Sequence, residues 1–307
     1  MRKKIKNTRL FVVFMVLLVL VVVLFSRKEG YRERSFDRQL IQVETENISK
    51  IRLYPKVMNG ESFDIENENA GWKLVKNKQS FKANNSQIEG MLSTLKNLEA
   101  KSIVANSKER WEHYEVSDSL ASRVQLFDDN KVVADLYIGK FQFVQPRGMF
   151  SYVRPEGSKE TYKVEGFLGS TFNRKLNDLR DKTLIDDRIA NWKQLSFDYP
   201  GDSSFVLSKS NDIWMLGNVP ADSAAVAAYI NKLKVQNANS IYDEAVEVAA
   251  NTYRLTIERE NLEAIQLTVK SVNGEKVLSS SENAGVWFND DTKIGTIFVS
   301  QSTFRSK

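Results

Sequence analysis

The sequence FKANNSQIEGMLSTLKNLEAKSIV (residues 81–104) recurs without a gap as VPADSAAVAAYINKLKVQNANSIY (residues 219–242). Asn84 in the first segment faces Asp222 in the second, and both residue types are favoured helix N-caps. Apolar residues follow at i, i+3, i+4 and i+7 in each copy: Ile88, Met91, Leu92 and Leu95, then Val226, Tyr229, Ile230 and Leu233. This spacing predicts an amphipathic helix in each copy that buries one stripe of side chains.

The repeat extends to both sides of the helix. Upstream, SFDIENENAGWKL (62–74) aligns with SFVLSKSNDIWML (204–216). Downstream, RVQLFDDNKVVADLYIG (123–139) aligns with RLTIERENLEAIQLTVK (254–270). Apolar and polar residues alternate around a polar turn in the downstream pair, which predicts a β-hairpin in each copy. We predict the last strands at 152–153 and 162–164 in the first copy, and at 286–288 and 297–299 in the second.

Between the copies, Phe172, Leu176 and Leu179 share one helical face and predict a helix that joins them. The predicted fold class is therefore α+β: an N-terminal transmembrane helix, then two tandem copies of a unit made of an antiparallel sheet and a helix. The predicted segments are a cytoplasmic tip with the anchor (1–26), a charged tether (27–47), the first repeat with its connecting helix (48–188) and the second repeat (189–307).

The transmembrane prediction rests on LFVVFMVLLVLVVVLF, sixteen apolar residues at 10–25. A helix of this length is about 24 Å long, somewhat short for a hydrocarbon core of about 30 Å. A cleaved signal peptide and a buried helix of a soluble domain are the alternatives. The residues predicted to form the anchor are Leu10, Phe11, Phe14, Leu17, Leu20, Val23 and Phe25.

The charges of the chain are distributed unevenly. The formal charge of +5 comes from 44 Lys plus Arg against 39 Asp plus Glu. Its source is five basic residues before the apolar run: Arg2, Lys3, Lys4, Lys6 and Arg9. The remaining chain has no net charge, which argues against nucleic acid as a partner. The basic residues predict a cytoplasmic N-terminus, and hence a single-pass protein of the bacterial inner membrane with a periplasmic or extracytoplasmic body.

The composition also limits the chemistry. There is no Cys and only one His, His113, so thiol catalysis and sites with two His ligands are excluded within one chain. No phosphate-binding glycine motif is present. The acidic pairs at 128–129, 186–187 and 290–291 lack the spacing of a calcium loop and are typical of turns or caps. We therefore predict no catalytic residue, no metal site and no cofactor.

Aromatic residues provide the candidate binding surface. The segment GKFQFVQPRGMFSYV (139–153) predicts a hairpin with an aromatic tip, and its candidate partner patch is Phe141, Phe143, Phe150 and Tyr152. Packing in the hairpin core is the alternative interpretation. Trp72 and Trp214 occupy equivalent repeat positions, which favours core strands over a carbohydrate platform.

Several short motifs follow one another in a recognisable order: ISKIRL (48–53), GWKL (71–74), HYEVSDSLASRVQLF (113–127), ADLYIGK (134–140), FSYVR (150–154), TYKV (161–164) and LNDLRDKTLI (176–185). This order resembles the bacterial domain-of-unknown-function family 4340. In that family Tyr-Gly-Leu usually precedes the strand, whereas here Glu115 and Val116 follow Tyr114. The resemblance implies a membrane-anchored extracytoplasmic protein, and such proteins often accompany components of ABC-type transporters or gliding-type machinery.

Together these observations predict a non-enzymatic accessory or scaffold subunit of an envelope complex. The expected partners are the lipid bilayer and other envelope proteins, with ABC-transporter components as candidates and without nucleic acid. One alternative is a module that binds glycan, lipid or peptidoglycan. A carboxylate-based hydrolase is a third hypothesis.

Overall fold

The computed structural model of the protein describes residues 13–19, 38–146, 148–189, 191–246 and 251–305. Two antiparallel sheets of nine strands dominate it. The strands of the first sheet are β1 (Lys50–Tyr54), β2 (Phe63–Glu68), β3 (Gly71–Lys76), β4 (Gln79–Lys82), β5 (Ala100–Ala105), β6 (Ser122–Asp128), β7 (Lys131–Val144), β8 (Gly148–Pro155) and β9 (Thr161–Glu165). Their order across the sheet is β4-β3-β2-β1-β6-β7-β8-β9-β5.

The second sheet has the same order, element for element. Its strands are β11 (Trp192–Asp198), β12 (Phe205–Ser210), β13 (Ile213–Leu216), β14 (Val219–Pro220), β16 (Ile241–Tyr242), β17 (Asn251–Arg259), β18 (Leu262–Val272), β19 (Glu275–Ser280) and β20 (Trp287–Phe288). They lie in the order β14-β13-β12-β11-β17-β18-β19-β20-β16. A separate pair consists of β10 (Thr183–Asp186) and β15 (Val235–Asn237). We call the two equivalent parts the first and the second unit.

Helices and short 3-10 turns complete the chain. The α-helices are α1 (13–19), α2 (Asn85–Lys96), α3 (Trp111–Tyr114), α4 (Gly169–Phe172), α5 (Leu176–Leu179), α6 (Ser223–Leu233) and α7 (Asp291–Ile297). The 3-10 turns are Thr45–Asn47, Lys56–Met58, Lys108–Arg110, Gly201–Ser203, Ser281–Asn283 and Gln301–Phe304.

The alternation of apolar residues explains why each sheet buries only one face. In β1, Ile51 and Leu53 are completely buried, and the three alternate residues of the strand are half-buried. Ile51 pairs with Ile65 on one side and with Leu126 on the other, so apolar side chains form a row across the strands. Each fully buried Ile or Leu contributes about 1.5–3 kcal/mol of transfer free energy, and such rows hold the sheet against its helix.

The repeat helices have the predicted stripes and caps. Helix α2 buries Ile88, Met91, Leu92 and Leu95. Helix α6 buries Val226, Tyr229 and Leu233, and the fourth predicted residue, Ile230, is half-buried against the same core. The Asn84 side chain accepts a hydrogen bond from the backbone N–H of Gln87, and the Asp222 side chain accepts two from α6. These helix predictions are confirmed.

Each cap also marks where its unit ends. The backbone N–H of Asn84 donates to the carbonyl of Leu179 over 2.8 Å, and that of Asp222 donates to the carbonyl of Phe304 over 2.9 Å. Leu179 belongs to the first hydrophobic core and Phe304 to the second. The last turn of each unit is therefore fixed to the start of that unit's own helix.

Equivalent hydrogen bonds also show where each unit begins. The backbone N–H of Ala100 donates to the carbonyl of Arg38, and that of Ala238 donates to the carbonyl of Lys182. Strand β10 pairs with β15, and its Leu184 and Ile185 lie in the second core. Hydrogen bonding and packing thus place residues 182–188 with the second unit, ahead of the sequence-based start at 189. Residues 27–37 of the predicted tether lie outside the described residues.

Two predicted elements differ in the structure. The strand expected at 297–299 is absent there, because 291–297 form helix α7, whose N-cap Asp290 accepts from the backbone N–H of Lys293. Ile294 and Ile297 on this helix are buried. In place of the single helix expected between the copies, the structure has two short helices, α4 and α5. Their apolar residues Phe172, Leu176 and Leu179 pack into the first core.

The predicted transmembrane helix is wrong for the part of the chain that the structure describes. Of the apolar run, only residues 13–19 are described, as α1. Among the described residues, no helix is both long and apolar enough to cross a membrane. The predicted localisation as a single-pass inner-membrane protein depended on this helix and is therefore also wrong.

Phe14 and Leu17 lie on α1 and are exposed. The other predicted anchor residues lie outside the described residues: Leu10, Phe11, Leu20, Val23 and Phe25. So do the five basic residues used to orient the chain: Arg2, Lys3, Lys4, Lys6 and Arg9.

Asp181 connects the two units. Its backbone N–H donates to the carbonyl of Lys82, and its carboxylate lies 2.7 Å from the Lys82 ammonium. The backbone N–H and the hydroxyl of Thr183 donate to the same carboxylate, and Asn283 of the second unit donates to the Asp181 carbonyl over 2.9 Å. Burial alone would raise the pKa of Asp181, but Lys82 and the Thr183 hydrogen bonds together lower it.

One hairpin differs in length between the units. Ile138 pairs with Val153 in the first unit, and the equivalent pair in the second is Val269 and Leu278. Fourteen residues lie between the first pair and eight between the second, so the β7–β8 hairpin is six residues longer. It also contains a bulge between Ile138 and Phe141. The bulge shifts the alternation by one residue, so Phe141 and Phe143 continue the core-facing side.

Gly139 lies in this bulge, tight against another segment. A Cβ at this position would lie 2.1 Å from the backbone oxygen of Tyr114 and 2.8 Å from the Val116 side chain. Only glycine therefore allows the base of the hairpin to pack against residues 114–116.

We expect Asp181→Asn to lower the free energy of unfolding at pH 7 by about 1–3 kcal/mol, because it removes the charge that Lys82 and Thr183 contact. Since folding lowers this pKa, the stabilisation is present above the unfolded value of about 3.9 and is lost as pH falls through the folded value. The difference between parent and variant, measured by urea unfolding, should therefore shrink below about pH 4. Asp202→Asn, at an exposed turn, is the control. A difference that does not change with pH would contradict this role.

We expect Gly139→Ala to lower the free energy of unfolding by about 1–3 kcal/mol, because the new methyl group displaces residues 114–116. The matched control is Gly90→Ala on the exposed face of α2, where no atom lies within 4 Å of the added Cβ. That variant should gain about 0.5–1 kcal/mol from helix propensity. Equal effects of the two variants in urea unfolding would show that the contact at Gly139 is unimportant.

Candidate functional site

The tip of the β7–β8 hairpin presents an apolar face. Phe143 pairs with Met149, and Phe141 pairs with Ser151, so these four side chains point to the same side. Phe141 is 50% exposed, Phe143 59% and Met149 44%. Ser151 is buried at the base, where its hydroxyl donates to the carbonyl of Gly166.

Phe167 extends this face beyond the strands. Its ring centre lies 4.4 Å from that of Phe141, and its side chain is 37% exposed. The next residue, Leu168, is buried, and its backbone N–H donates to the Ser151 hydroxyl. Leu168 therefore belongs to the buried core, and Phe167 lies at the edge of that core. We call the surface formed by Phe141, Phe143, Met149 and Phe167 the hairpin patch; its exposed side chains amount to roughly 400 Å².

The opposite face of the hairpin has both polar and aromatic side chains. Gln142 pairs with Phe150, and Phe150 pairs with Glu165 on β9. The ammonium of Lys163 lies 3.9 Å from the ring centre of Phe150 and covers it in part. This second face of the hairpin thus lies beside charged side chains of β9, which the apolar face does not.

The four residues of the predicted partner patch are therefore divided by the structure. Phe141 and Phe143 lie on the hairpin patch, whereas Phe150 is half-buried on the other face. Tyr152 is buried, its hydroxyl donates to Gln142, and its ring centre lies 4.6 Å from that of Tyr114. Burial, with a smaller effect of Tyr114, raises the pKa of Tyr152, so its phenol stays neutral.

Sequence reasoning missed Met149 and Phe167. Met149 could have been found by pairing residues across the turn at 145–147, because partners in an antiparallel hairpin share a face. Arg147 in that turn lies outside the described residues. The bulge at 139–140 gives no comparable signal, and a hairpin without it would place Gln142 beside the core face instead of Phe141. Phe167 joins the surface through tertiary packing alone.

The candidate chemical groups make the following local contacts. His113 is exposed, and its ring meets the edge of Tyr114 at 4.8 Å. Asp187 accepts a hydrogen bond from the indole of Trp192, and Asp290 caps α7. In the described ranges, no cluster of three or more potential metal-binding side chains occurs.

The two tryptophans at equivalent repeat positions lie in the sheets. Trp72 on β3 is buried in the first core, and Trp214 on β13 is half-buried against the second. This arrangement does not place them as an exposed pair, and they form no part of the hairpin patch.

The comparisons with known proteins agree with the motif order. A family described as Domain of unknown function (DUF4340) matches residues 72–256. No curated protein and no solved structure matches the chain. The matched region begins in β3 and ends in β17, so it includes the hairpin patch and the N-terminal half of the second unit. Because the match covers more than half of the sequence, the chain belongs to the DUF4340 family.

Proposed function

We propose that the protein is a non-enzymatic subunit that docks a partner protein through the hairpin patch. Its role would be that of an accessory or scaffold subunit in a larger assembly. ABC-type transporter components are the candidate partners suggested by the family resemblance. The observation that carries the proposal is the difference between the two units: the longer hairpin is apolar at its tip, and the shorter one is not.

The second unit provides an internal reference for what the fold needs. Its equivalent hairpin turns at Asn273 and Gly274, and its exposed residues include Glu275 and Lys276. It has the same sheet order without the six additional residues. The extension in the first unit is therefore dispensable for the repeat, and its exposed Phe and Met side chains call for another explanation.

The chemistry of the hairpin patch favours a protein partner. Aromatic and Met side chains are enriched at the centre of protein interfaces, where a few anchors supply most of the binding energy. The patch covers about half of the roughly 800 Å² that each partner buries in a standard interface. Phe141 and Phe143 lie on a paired strand, so little conformational entropy is lost on docking.

The acidic side chains support a binding role over hydrolysis. A carboxylate hydrolase needs two carboxyl groups that face a common cleft about 5–10 Å apart. Asp187 and Asp290 are instead engaged with Trp192 and with α7, and Asp129 lies in a turn with positive φ. These three carboxylates thus have local structural roles.

A photoreactive benzoylphenylalanine at position 143 of the full chain tests the proposal in the cells that produce it. The matched control carries the same group at Leu262, which is 62% exposed at the β17–β18 turn. We expect position 143 to give one adduct of defined mass, identified by mass spectrometry. The purified partner should then bind the parent chain at least tenfold more tightly than Phe141→Ser, equivalent to about 1.4 kcal/mol.

Three results would refute the docking surface. The first is the absence of any adduct at position 143, and the second is the same adduct from position 262. The third is crosslinking to lipid alone, which would make the hairpin patch a lipid contact.

A further inference from the structure

The second unit contains a cavity of about 1090 Å³, remote in sequence from the hairpin patch. Three aromatic side chains line it: Tyr199 after β11, Tyr253 on β17 and Phe298 after α7. The ring centres of Tyr199 and Tyr253 lie 5.4 Å apart, and those of Tyr253 and Phe298 lie 5.6 Å apart. All three side chains are half-buried, so part of each ring remains accessible.

A hydrogen bond fixes the wall of the cavity. The hydroxyl of Tyr199 donates to the carbonyl of Val299 over 2.7 Å, which joins the end of β11 to the chain after α7. Burial raises the pKa of Tyr199, so the phenol keeps this proton across the physiological range. The aromatic wall is therefore preorganised.

The rim of the cavity contains charges of both signs. Lys276 and Arg305 provide cationic donors, whereas Glu275 and Asp291 provide anionic acceptors. Lys276 donates to the hydroxyl of Tyr253 over 3.2 Å, and Arg305 donates to an amide oxygen of Gln301. The Lys276 ammonium also lies 5.0 Å from the centre of the Tyr253 ring, so a cationic donor stands beside the aromatic wall.

The first unit has small or polar residues at the corresponding positions. The strand registers align Tyr199 with Pro55 and Tyr253 with Ser122. The equivalent carbonyl acceptors Leu179 and Phe304 align Phe298 with Asn173.

In the first unit, two hydrogen bonds attach the loop after β1 to the rest of the unit. The backbone N–H of Lys56 donates to Ser122 over 3.1 Å, and that of Val57 donates to Asn173 over 2.8 Å. The repeat thus folds without the three aromatic rings, which are particular to the second unit.

We propose that this cavity binds a carbohydrate of two or more rings. The C–H face of a sugar ring packs on aromatic faces, and each sugar hydroxyl both donates and accepts a hydrogen bond. A rim with donors and acceptors suits such hydroxyls, whereas an ion of one sign or a wholly apolar ligand would leave half of the rim desolvated and unpaired. The volume matches the upper end of ligand pockets, which are about 300–1,000 Å³.

Titration calorimetry on the full chain tests this site with two probes, the trisaccharide of N-acetylglucosamine and cellotriose. We expect at least one probe to bind, and Tyr253→Ala to weaken its binding at least tenfold. Tyr253→Phe keeps the aromatic face and should stay within about threefold of the parent. Tyr54→Ala, which changes a half-buried tyrosine of the first unit, is the control and should leave binding unchanged.

Two outcomes would overturn the inference: neither probe binds the parent chain with a Kd below about 10 mM, or Tyr253→Ala and the control behave alike. Circular dichroism of each variant shows that it is folded. Phe143→Ser on the hairpin patch should not alter sugar binding, so the two proposals fail or succeed separately.

Discussion

Each unit has to cover one apolar face of a nine-stranded sheet, and this requirement shapes the rest of the molecule. Nine strands at a spacing of about 4.8 Å form a sheet roughly 38 Å wide. A helix such as α2 or α6, with 12 or 11 residues, is only about 17 Å long and 10 Å across. The helix can protect the middle of the face, but other parts of the chain must protect its margins.

Both units use the same kinds of segment to cover the margins of the apolar sheet face. The chain before the first sheet strand contributes Ile41 in one unit and Leu184 in the other. The chain after the last sheet strand contributes Phe172 and Ile297, and ends where its carbonyl meets the N-cap of the repeat helix. Because of these contacts, each unit has a hydrophobic core of its own, and Asp181 lies where the two units meet.

The segments that cover the apolar face end at different places in the two units. The hairpin patch and the cavity of the second unit lie at these places. In the first unit the β7–β8 hairpin extends beyond the segments that cover the sheet. Phe141 and Phe143 continue its core-facing row of side chains there. In the second unit the hairpin is short, but α7 and the turn after it leave space above Tyr199 and Tyr253. The repeated fold thus needs neither feature, and each unit has one that the other lacks.

The sequence predicted most of the framework and only part of the surface. The helices, their caps and the β6–β7 and β17–β18 hairpins were readable because periodicity and capping are local signals. The strand at 297–299 was misassigned because TIFV resembles TYKV, although the Asp290 cap and the buried Ile294 favour a helix. The apolar run at 10–25 suggested a membrane span that the described structure does not contain.

The surface depended on features that the sequence hides. A single bulge decides which hairpin residues continue the core face, so only Phe141 and Phe143 of the predicted patch lie on it. Phe167 and the Tyr199–Tyr253–Phe298 cluster form by contacts between residues that are distant in the chain.

The central claim is that the hairpin patch lies outside the requirements of the fold, and the free energy of unfolding tests it most directly. The double variant Phe143→Ser with Met149→Ser should unfold within about 1 kcal/mol of the parent, as exposed positions do. Val153→Ser, which changes a completely buried neighbour on β8, should cost about 3 kcal/mol or more. If the double variant lost as much stability as Val153→Ser in urea unfolding, the patch would be part of the core and the account would be wrong.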